Sequence, residues 1–407
     1  MMNKASARQG LDGRLSGFTI RVSLFYGAVF LLIGFHLPYF PVWLEWRGLS
    51  PGEIGIVLAA PMVVRVVSTP VISFAADRMG DRRLAIVLLS WGTLVGYLLF
   101  TVAHGFLAVL AVAVLAAITW TSIMPVTEAV AMDGVRREGH DYGRMRLWGS
   151  LTFIAASFGG GLALQWWGAP SMLWLMIAAT VCILASAYVL PQPKGRGRLR
   201  KATAFPPLRV QTALALVRSP LFLLFLLAAG LVQGSHGIYY AFGTINWQAQ
   251  NISATVIGAL WTTGVVAEVL LFMVSGRAIR RFSAVNLICL AALAAVVRWA
   301  ITAFSPPLWL LFIVQALHGL TFGAAHLGAV HFITDATPPE AAGTAQGVYA
   351  SLAIGIAMGA ALLASGPLYA AFGASAYLVM SGVGGIALIA ALVLARLWHG
   401  EKLVTSE

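Results

Sequence analysis

A carboxylate and a guanidinium near the ends of two consecutive apolar runs are the first candidates for chemistry in this sequence. Glu128 lies near the end of one run and Arg146 lies at the start of the next, with a polar, basic segment between them. If the runs form antiparallel helices, the two side chains can pair, because a charge in an apolar environment needs a partner or a wet cavity. The alternative is that Glu128 only marks a helix end beside a solvated loop.

Three titratable residues follow in the second half of the chain at intervals of thirty and twenty residues: Glu268, Arg298 and His318. Buried charges are most stable when they neutralise each other, so we predict that Glu268 pairs with Arg298. His318 can join them, because imidazole exchanges a proton near neutral pH. A carboxylate that alternates between an arginine partner and a protonated state could couple binding to protons. The alternative is a static ion pair that holds two helices together.

Histidine spacing argues against a metal site. His326 lies eight residues after His318, and at 100° per helical residue their side chains are about 80° apart, so both can face one cavity. His331 follows five residues later and points elsewhere. These spacings do not build one compact face for a metal ion, and we predict no metal and no cofactor.

Other polar and aromatic residues lie within apolar runs and are candidates to line a cavity. Arg65 has no acidic neighbour in its own run, so its partner is an anionic substrate group, a salt bridge to another helix or backbone carbonyls. Aromatic faces suit rings and sugars alike. The further candidates for substrate binding are His36, Tyr39, Trp120, His236 and Tyr240.

The composition predicts a membrane protein. Apolar residues make up 60% of the 407 residues and charged residues only 10%, whereas soluble domains contain about 25% charged residues. A membrane-spanning helix needs about 20 apolar residues. The sequence therefore predicts an all-α membrane protein with twelve transmembrane helices: 22–44, 54–76, 84–103, 105–131, 145–167, 171–190, 220–245, 253–275, 284–304, 307–332, 343–369 and 374–396.

Basic residues indicate the orientation. All but three of the 26 Lys and Arg residues lie in the terminal segments and in alternate loops, the exceptions being Arg47, Arg65 and Arg298. This asymmetry predicts both termini in the cytoplasm, in a bacterial-type inner membrane. The net charge of +12 thus reflects topology, and the expected surroundings are a lipid bilayer and no nucleic acid.

A basic linker between the sixth and seventh predicted helices divides the chain into two halves. The halves repeat weakly at an offset of about 203 residues, so that Ile54-Gly55 matches Ile257-Gly258. Such a repeat favours two pseudo-symmetric six-helix bundles that rock against each other. The predicted division is a cytoplasmic N-terminal segment 1–21, an N-terminal bundle 22–190, a linker 191–219, a C-terminal bundle 220–396 and a cytoplasmic tail 397–407.

The loop between the second and third predicted helices reads DRMGDRR. It resembles the signature loop of the major facilitator superfamily, with Ser73 in place of the glycine that usually opens the signature. The resemblance implies the major facilitator fold and a conformational latch, in which carboxylates and guanidiniums pair with a helix end. The alternative is a basic cytoplasmic loop without a latch. The latch residues would be Asp77, Arg78, Gly80, Arg82 and Arg83.

Within that superfamily the chain resembles the lactose permease and phenylpropionate permease group. The stretch YGRMRLWGS, residues 142–150, looks like the opening of the group's fifth helix. Glu128 and Arg146 match the group's sugar-binding carboxylate and guanidinium. Glu268, Arg298 and His318 match part of its proton-coupling set, which the resemblance implies for this chain, and we add His326 to that set.

Two departures from the group bear on the substrate. The coupling carboxylate one turn beyond the histidine falls at Thr321, and the aromatic residue that stacks on a galactosyl ring falls at Phe153. The resemblance therefore favours a phenylpropionate-like acid over a lactose-like sugar.

The sequence as a whole predicts a monomeric permease that carries a small organic solute with protons by alternating access. An aromatic or other carboxylic acid is the favoured cargo, with a sugar or nucleoside symporter and a drug/proton antiporter as alternatives. An antiporter needs a carboxylate in the N-terminal cavity that is free to hold a cation. A membrane enzyme or receptor is disfavoured, because the sequence has no nucleotide-binding glycine loop and no catalytic cluster.

Overall fold

The computed structural model describes residues 17–191 and 210–404, and within these ranges the chain is helical and contains no strand. A purely helical fold satisfies every backbone N–H and C=O inside its own segment, as a lipid environment requires. Most of the predicted N-terminal segment and linker, at residues 1–16 and 192–209, and the end of the tail at 405–407 lie outside the described residues. The expected all-α membrane fold is confirmed.

Six long helices form the N-terminal half, and local capping groups set their ends. At the start of α2 the Ser50 hydroxyl accepts the Glu53 N–H, and the Glu53 carboxylate accepts the Ser50 N–H. Gly80 and Gly139 end α2 and α4 with positive φ angles of 67° and 69°, which glycine adopts without strain. The six helices are α1 (Gly17–Trp46), α2 (Pro51–Met79), α3 (Arg82–Val102), α4 (Gly105–Glu138), α5 (Tyr142–Trp167) and α6 (Pro170–Val189).

The C-terminal half also has six long helices, and three of them are interrupted. Helix α7 (Pro220–Ala249) breaks at residues 235–236, α10 (Leu308–Ala336) contains a π turn at Gly319–Ala324, and α11 (339–372) contains a π turn at Ala350–Ile356. The continuous helices are α8 (Ala254–Met273), α9 (Ala284–Ala303) and α12 (Tyr377–Leu397). Two short helices, Val210–Arg218 and Ser275–Arg281, precede α7 and follow α8.

Eleven helical stretches of the described chain are long and apolar enough to cross a membrane. The last, Pro339–Leu397, contains 59 residues and would extend about 88 Å if straight, roughly three times the hydrocarbon thickness. The 3₁₀ turn Gly373–Ala376, which opens with a φ of 53° at Gly373, divides this stretch into α11 and α12. The order of helices therefore matches the twelve predicted runs.

The helix ends differ from the predicted ends where polar residues continue a helix. Helix α4 extends to Glu138 instead of ending at 131, and α5 begins at Tyr142, capped by Asp141, instead of at 145. The apolar run marks only the part of a helix that faces lipid, whereas capping residues set its ends. The break in the predicted helix 220–245 was also missed, because the sequence there is apolar on both sides of it.

The two halves meet at one end of the bundle through small residues. Gly161 of α5 lies against Ala254 and Gly258 of α8, and a Cβ atom on Gly161 would come within 2.4 Å of the Ala254 carbonyl oxygen. In the same way, Gly55 of α2 lies against Gly366 of α11. Small residues allow helix backbones to approach closely. We call these two contacts the glycine seal; they lie far from the basic loops that join α2 to α3 and α4 to α5.

An alanine at Gly161 should open the glycine seal. Overpacking a close contact costs about 1–3 kcal/mol. In Gly161→Ala, the fraction of molecules whose two halves are separated at the seal should therefore rise roughly tenfold. Gly159→Ala is the matched control, because a Cβ there meets no atom within 4 Å. The measurement is the maleimide labelling rate of Ser157→Cys, placed at a fully buried position of α5. Equal labelling rates in the two alanine variants would contradict the seal.

Candidate functional site

A buried guanidinium organises the polar interior of the C-terminal half. Arg298 of α9 has no exposed surface. Its Nη1 donates to His318 Nδ1 at 3.0 Å and to Thr321 Oγ1 at 2.8 Å, and its Nη2 donates to Gln315 Oε1 at 2.8 Å. All three acceptors lie on α10. The guanidinium carbon also lies 4.4 Å from the Trp299 ring centroid, so neutral acceptors and an aromatic face surround the charge.

The predicted ion pair between Glu268 and Arg298 is wrong. No carboxylate in the described part of the chain lies within salt-bridge distance of Arg298. Its Nη1 and Nη2 donate to neutral acceptors of α10 instead, and its Nε makes no hydrogen bond within the described residues. Glu268 of α8 instead faces the other side of His318, with 3.8 Å between its Oε2 and the imidazole Nε2. His318 thus stands between the carboxylate and the guanidinium.

The π turn of α10 and the break in α7 meet at this network. The π turn begins at Gly319, directly after His318, and contains Thr321. Thr321 Oγ1 lies 3.1 Å from Nε2 of His236, which is fully buried at the α7 break. Tyr240, one turn later on α7, stacks on His236 and is half-buried. Such π turns are frequent at functional sites.

A second polar cluster lies in the N-terminal half around Glu128. The Tyr142 hydroxyl donates to Glu128 Oε1 at 3.1 Å. The Tyr26 side chain lies beside both groups, and its buried hydroxyl makes no hydrogen bond within the described chain. The Arg146 guanidinium lies over the Phe30 ring at 3.9 Å from the centroid. The cluster therefore combines one carboxylate, one cation and three aromatic rings.

The predicted ion pair between Glu128 and Arg146 is not formed. The two residues are not within 4.0 Å of each other as an ion pair in the described structure; Glu128 is held by a tyrosine hydroxyl and Arg146 by an aromatic ring. The two charges nevertheless share the same tyrosine neighbours. Helix spacing placed them in one region, but it did not reveal which neutral groups stand between them.

Arg146 connects the two clusters across the halves. Its positive charge acts on the Glu268 carboxylate and on the exposed His326 imidazole of α10. Tyr240 also lies within electrostatic reach of Glu268. The candidate site is therefore the space between α1, α4 and α5 on one side and α7, α8 and α10 on the other.

Arg65 is an exposed cation within a spanning helix. Val63, Val67 and Val71 mark the outward side of α2, with 63%, 67% and 61% of their surfaces exposed. At 100° per residue, Arg65 points about 160° away from their mean direction, toward the interior of the bundle. Within the residues that the structure describes, Arg65 has no hydrogen bond, ion pair or ring contact.

The remaining predicted aromatic and histidine residues lie away from this space or at its edge. Tyr39 is fully buried, donates to the Ser157 carbonyl and lies beside Gly258 of the glycine seal. His36 bonds the Tyr97 hydroxyl at 2.9 Å inside the N-terminal half. Trp120 is half-buried against the core of α4 and its neighbours.

The signature loop is tied to the end of α4. Arg82 bonds Asp77 at 2.9 Å and Asp133 of α4 at 2.9 Å, and Arg83 donates to the Tyr188 carbonyl at the end of α6. The loop therefore pairs with helix ends of its own half, and its role as a conformational latch stays a prediction. Arg78 is exposed, and its one contact among the described residues is the Phe74 ring, 5.4 Å away, while Gly80 provides the left-handed turn.

Several residues of these clusters were not predicted from the sequence. Asp133 was detectable as a second carboxylate near the end of the α4 run. Gln315 was detectable as a polar residue one turn before His318 in an otherwise apolar stretch. Tyr26 and Phe30 give no signal, since aromatic residues are common in membrane helices.

Comparison with known proteins identifies the class. The model of the MFS_1 like family, a branch of the major facilitator superfamily, matches residues 19–379. The chain therefore belongs to this family, whose members are membrane transporters.

Two sequence relatives and one solved structure are similar to this chain over most of its length. The chain is 34% identical over 366 residues to a probable 3-phenylpropionic acid transporter of Escherichia coli (strain K12), covering 88% of this chain and 93% of the relative. It is 27% identical over 343 residues to a maltose permease of Geobacillus stearothermophilus, covering 82% of this chain and 83% of the relative. The crystal structure of the nucleoside transporter NupG superposes with a TM-score of 0.84 at 15% identity, covering 94% of this chain and 100% of that chain. This last likeness shows the shared fold alone.

Replacing Arg82 should loosen the tie between the signature loop and α4. Arg82→Gln removes charged hydrogen bonds to two carboxylates and should lower the free energy of unfolding by about 1–3 kcal/mol. Thermal unfolding of the purified protein measures this loss. Arg78→Gln is the matched control and should change stability by less than about 0.5 kcal/mol. If both variants lose the same stability, the latch contacts are unimportant.

Proposed function

We propose that this chain is a proton-coupled symporter of an aromatic carboxylic acid, such as 3-phenylpropionic acid. The observation that carries the proposal is that two cations of the N-terminal half make no ion pair within the described chain. Arg65 is unpartnered within the described chain, and Arg146 has only aromatic partners there. A carboxylate ligand would satisfy cations of this kind with charge-assisted hydrogen bonds.

Aromatic surfaces support the same class of cargo. Phe30, Tyr26 and Tyr142 surround Arg146 and Glu128 on one side of the site, and Tyr240 of α7 lies near Glu268 on the other. A ring in this space would find stacking and edge contacts. The 34% identity to a probable 3-phenylpropionic acid transporter is consistent with this assignment.

Proton coupling follows from competition for Arg146. The Arg146 charge influences the Glu268 carboxylate, but the two form no ion pair in the described chain; we propose that a charged Glu268 competes with an anionic substrate for this cation. When Glu268 binds a proton, this competition ends and Arg146 binds the substrate carboxylate more tightly. Proton and substrate would then move together, which is symport.

Alternating access would use the glycine seal as one gate. If the basic loops face the cytoplasm of a bacterial inner membrane, as the charge pattern predicts, the seal lies on the outer side and the structure is open inward. The two halves would separate at the seal and close at the basic loops in the other state. One chain contains both halves, so a monomer suffices for this cycle.

A cation antiporter is the second candidate, because Glu128 has no cationic partner within salt-bridge distance in the described chain. Its carboxylate could hold a cationic drug in exchange for protons. However, the charge of Arg146 acts on the same tyrosines that surround Glu128 and would disfavour a cation there.

Substrate-induced proton movement in liposomes distinguishes the candidates. Purified protein should alkalinise the outside medium when 3-phenylpropionic acid is added, and respond weakly to maltose or nucleosides. Proton release from loaded vesicles on addition of hydrophobic cations, with no response to acids, would instead establish the antiporter. A response to maltose or a nucleoside alone would overturn the choice of cargo.

Arg65 should discriminate between charged and neutral cargo. Arg65→Gln removes a charged hydrogen bond worth about 1.5–3 kcal/mol and should raise the KM for the acid roughly 10- to 150-fold. Arg65→Lys keeps the charge and should recover part of the loss. Arg21→Gln, at an exposed position near the start of α1, is the control. An unchanged KM in Arg65→Gln would exclude Arg65 from substrate binding.

A further inference from the structure

The contacts of Arg298 fix the positions of the neighbouring protons. A guanidinium can only donate hydrogen bonds and stays charged in proteins. Because Arg298 Nη1 lies 3.0 Å from His318 Nδ1, that ring nitrogen must be the acceptor and carries no proton. A neutral imidazole has one N–H, so the proton of His318 lies on Nε2, the nitrogen that faces Glu268.

The same reasoning extends to the break in α7. Thr321 Oγ1 accepts from Arg298, which leaves its own hydroxyl proton for His236 Nε2 at 3.1 Å. His236 Nδ1 lies 3.1 Å and 3.2 Å from the Val232 and Gln233 carbonyls, which can only accept. His236 is therefore protonated on Nδ1 and His318 on Nε2.

Protonating His318 would place two donors against each other. An imidazolium at this position would lose its acceptor for Arg298 and stand beside a fully buried cation, which costs far more than at an exposed position. We propose that His318 is a fixed, neutral imidazole whose Nε2–H faces Glu268 at 3.8 Å, an electrostatic contact longer than a hydrogen bond, and that Glu268 alone binds the coupled proton. Arg298, Thr321 and His236 are positioning residues that set this tautomer. The proposal rests on the proton-coupled symport described above.

Solvent access supports this division of roles. The Glu268 side chain is 22% exposed, the His318 side chain 10% and Arg298 not at all, so a proton from solvent reaches the carboxylate first. The titratable groups that interact with Glu268 are His318 of α10, Arg146 of α5 and Tyr240 of α7; His326 of α10 interacts with the same Arg146 charge. A proton adds to a Glu268 oxygen and later leaves from it, while His318 keeps its Nε2 proton throughout.

Nitrogen NMR tests the tautomer without any transport assay. The full chain, labelled with ¹⁵N in its histidine rings and placed in lipid nanodiscs, contains eight histidines, and the His318 signals are those lost in His318→Gln. We expect one protonated and one unprotonated nitrogen at His318 across pH 5 to 8, the range in which ordinary histidines titrate. Protonation of both nitrogens in that range would overturn the proposal.

Thr321 provides a test of the positioning residues. Thr321→Val removes the hydroxyl that donates to His236 Nε2, so the His236 Nε2 signal should shift to that of a ring nitrogen without a hydrogen bond, while Nδ1 keeps its proton. Thr321→Ser keeps the hydroxyl and should restore the original Nε2 signal. Unchanged His236 signals in Thr321→Val would contradict the network.

Two amide replacements of His318 test its role in coupling. The glutamine amide of His318→Gln can occupy the place of Nε2 and still face Glu268 with an N–H, whereas the shorter asparagine amide of His318→Asn reaches only the place of Nδ1. In liposomes, His318→Gln should slow uptake severalfold but should not change the pH at which uptake is half-maximal, the pH midpoint. His318→Asn removes the N–H that faces the charged carboxylate, so Glu268 should hold its proton to higher pH and the midpoint should rise by roughly one unit.

The outcomes separate the two proposals. Loss of proton-driven uptake in His318→Gln, with substrate exchange intact, would make His318 a proton carrier and overturn the inference. Absence of proton-coupled uptake in the unaltered protein would overturn the proposed function instead, and the NMR experiment would still decide the tautomer.

Discussion

The cost of burying a positive charge shapes the C-terminal half of this protein. Arg298 cannot lose its proton and is fully buried without a carboxylate in salt-bridge distance in the described chain. Its stability therefore depends on three neutral acceptors and two aromatic rings. To supply them, α10 turns through a π segment and α7 breaks beside it. The irregular backbone occurs where the charge must be satisfied.

The N-terminal half solves the same problem in a different way. Its cations stay partly accessible, over an aromatic ring at Arg146 and open to the interior at Arg65. Its carboxylate at Glu128 is held by a hydroxyl. These charges remain available to a ligand, whereas Arg298 is hydrogen-bonded to neighbouring side chains of α10. Under the proposed symport, the accessible charges of the N-terminal half would bind the solute, while the C-terminal half would hold the proton.

The sequence predicted the order of the helices well because bilayer thickness imposes a fixed length on every apolar run. It also brought Glu128 close to Arg146, and Glu268 close to His318. The sequence did not, however, predict which groups these charged side chains contact. Gln315 and Thr321 hold Arg298 although neither is charged, and a search for opposite charges passes over neutral acceptors. The π turns and the α7 break were missed for a related reason, since hydrophobic periodicity reports which residues face lipid and not how one turn is wound.

The contrast between the two ends of the bundle has a consequence for how the protein responds to its medium. In the glycine seal, Gly161 and Gly55 pack against backbone atoms of the other half. The seal contains none of the ion pairs that hold the signature loop among the described residues. Dissolved ions screen charge pairs but leave van der Waals contacts almost untouched. Ionic strength should therefore change the strength of the ion pairs at the signature loop, whereas the glycine seal should keep its strength. Differences in salt between the two faces of a membrane would then act on one gate only.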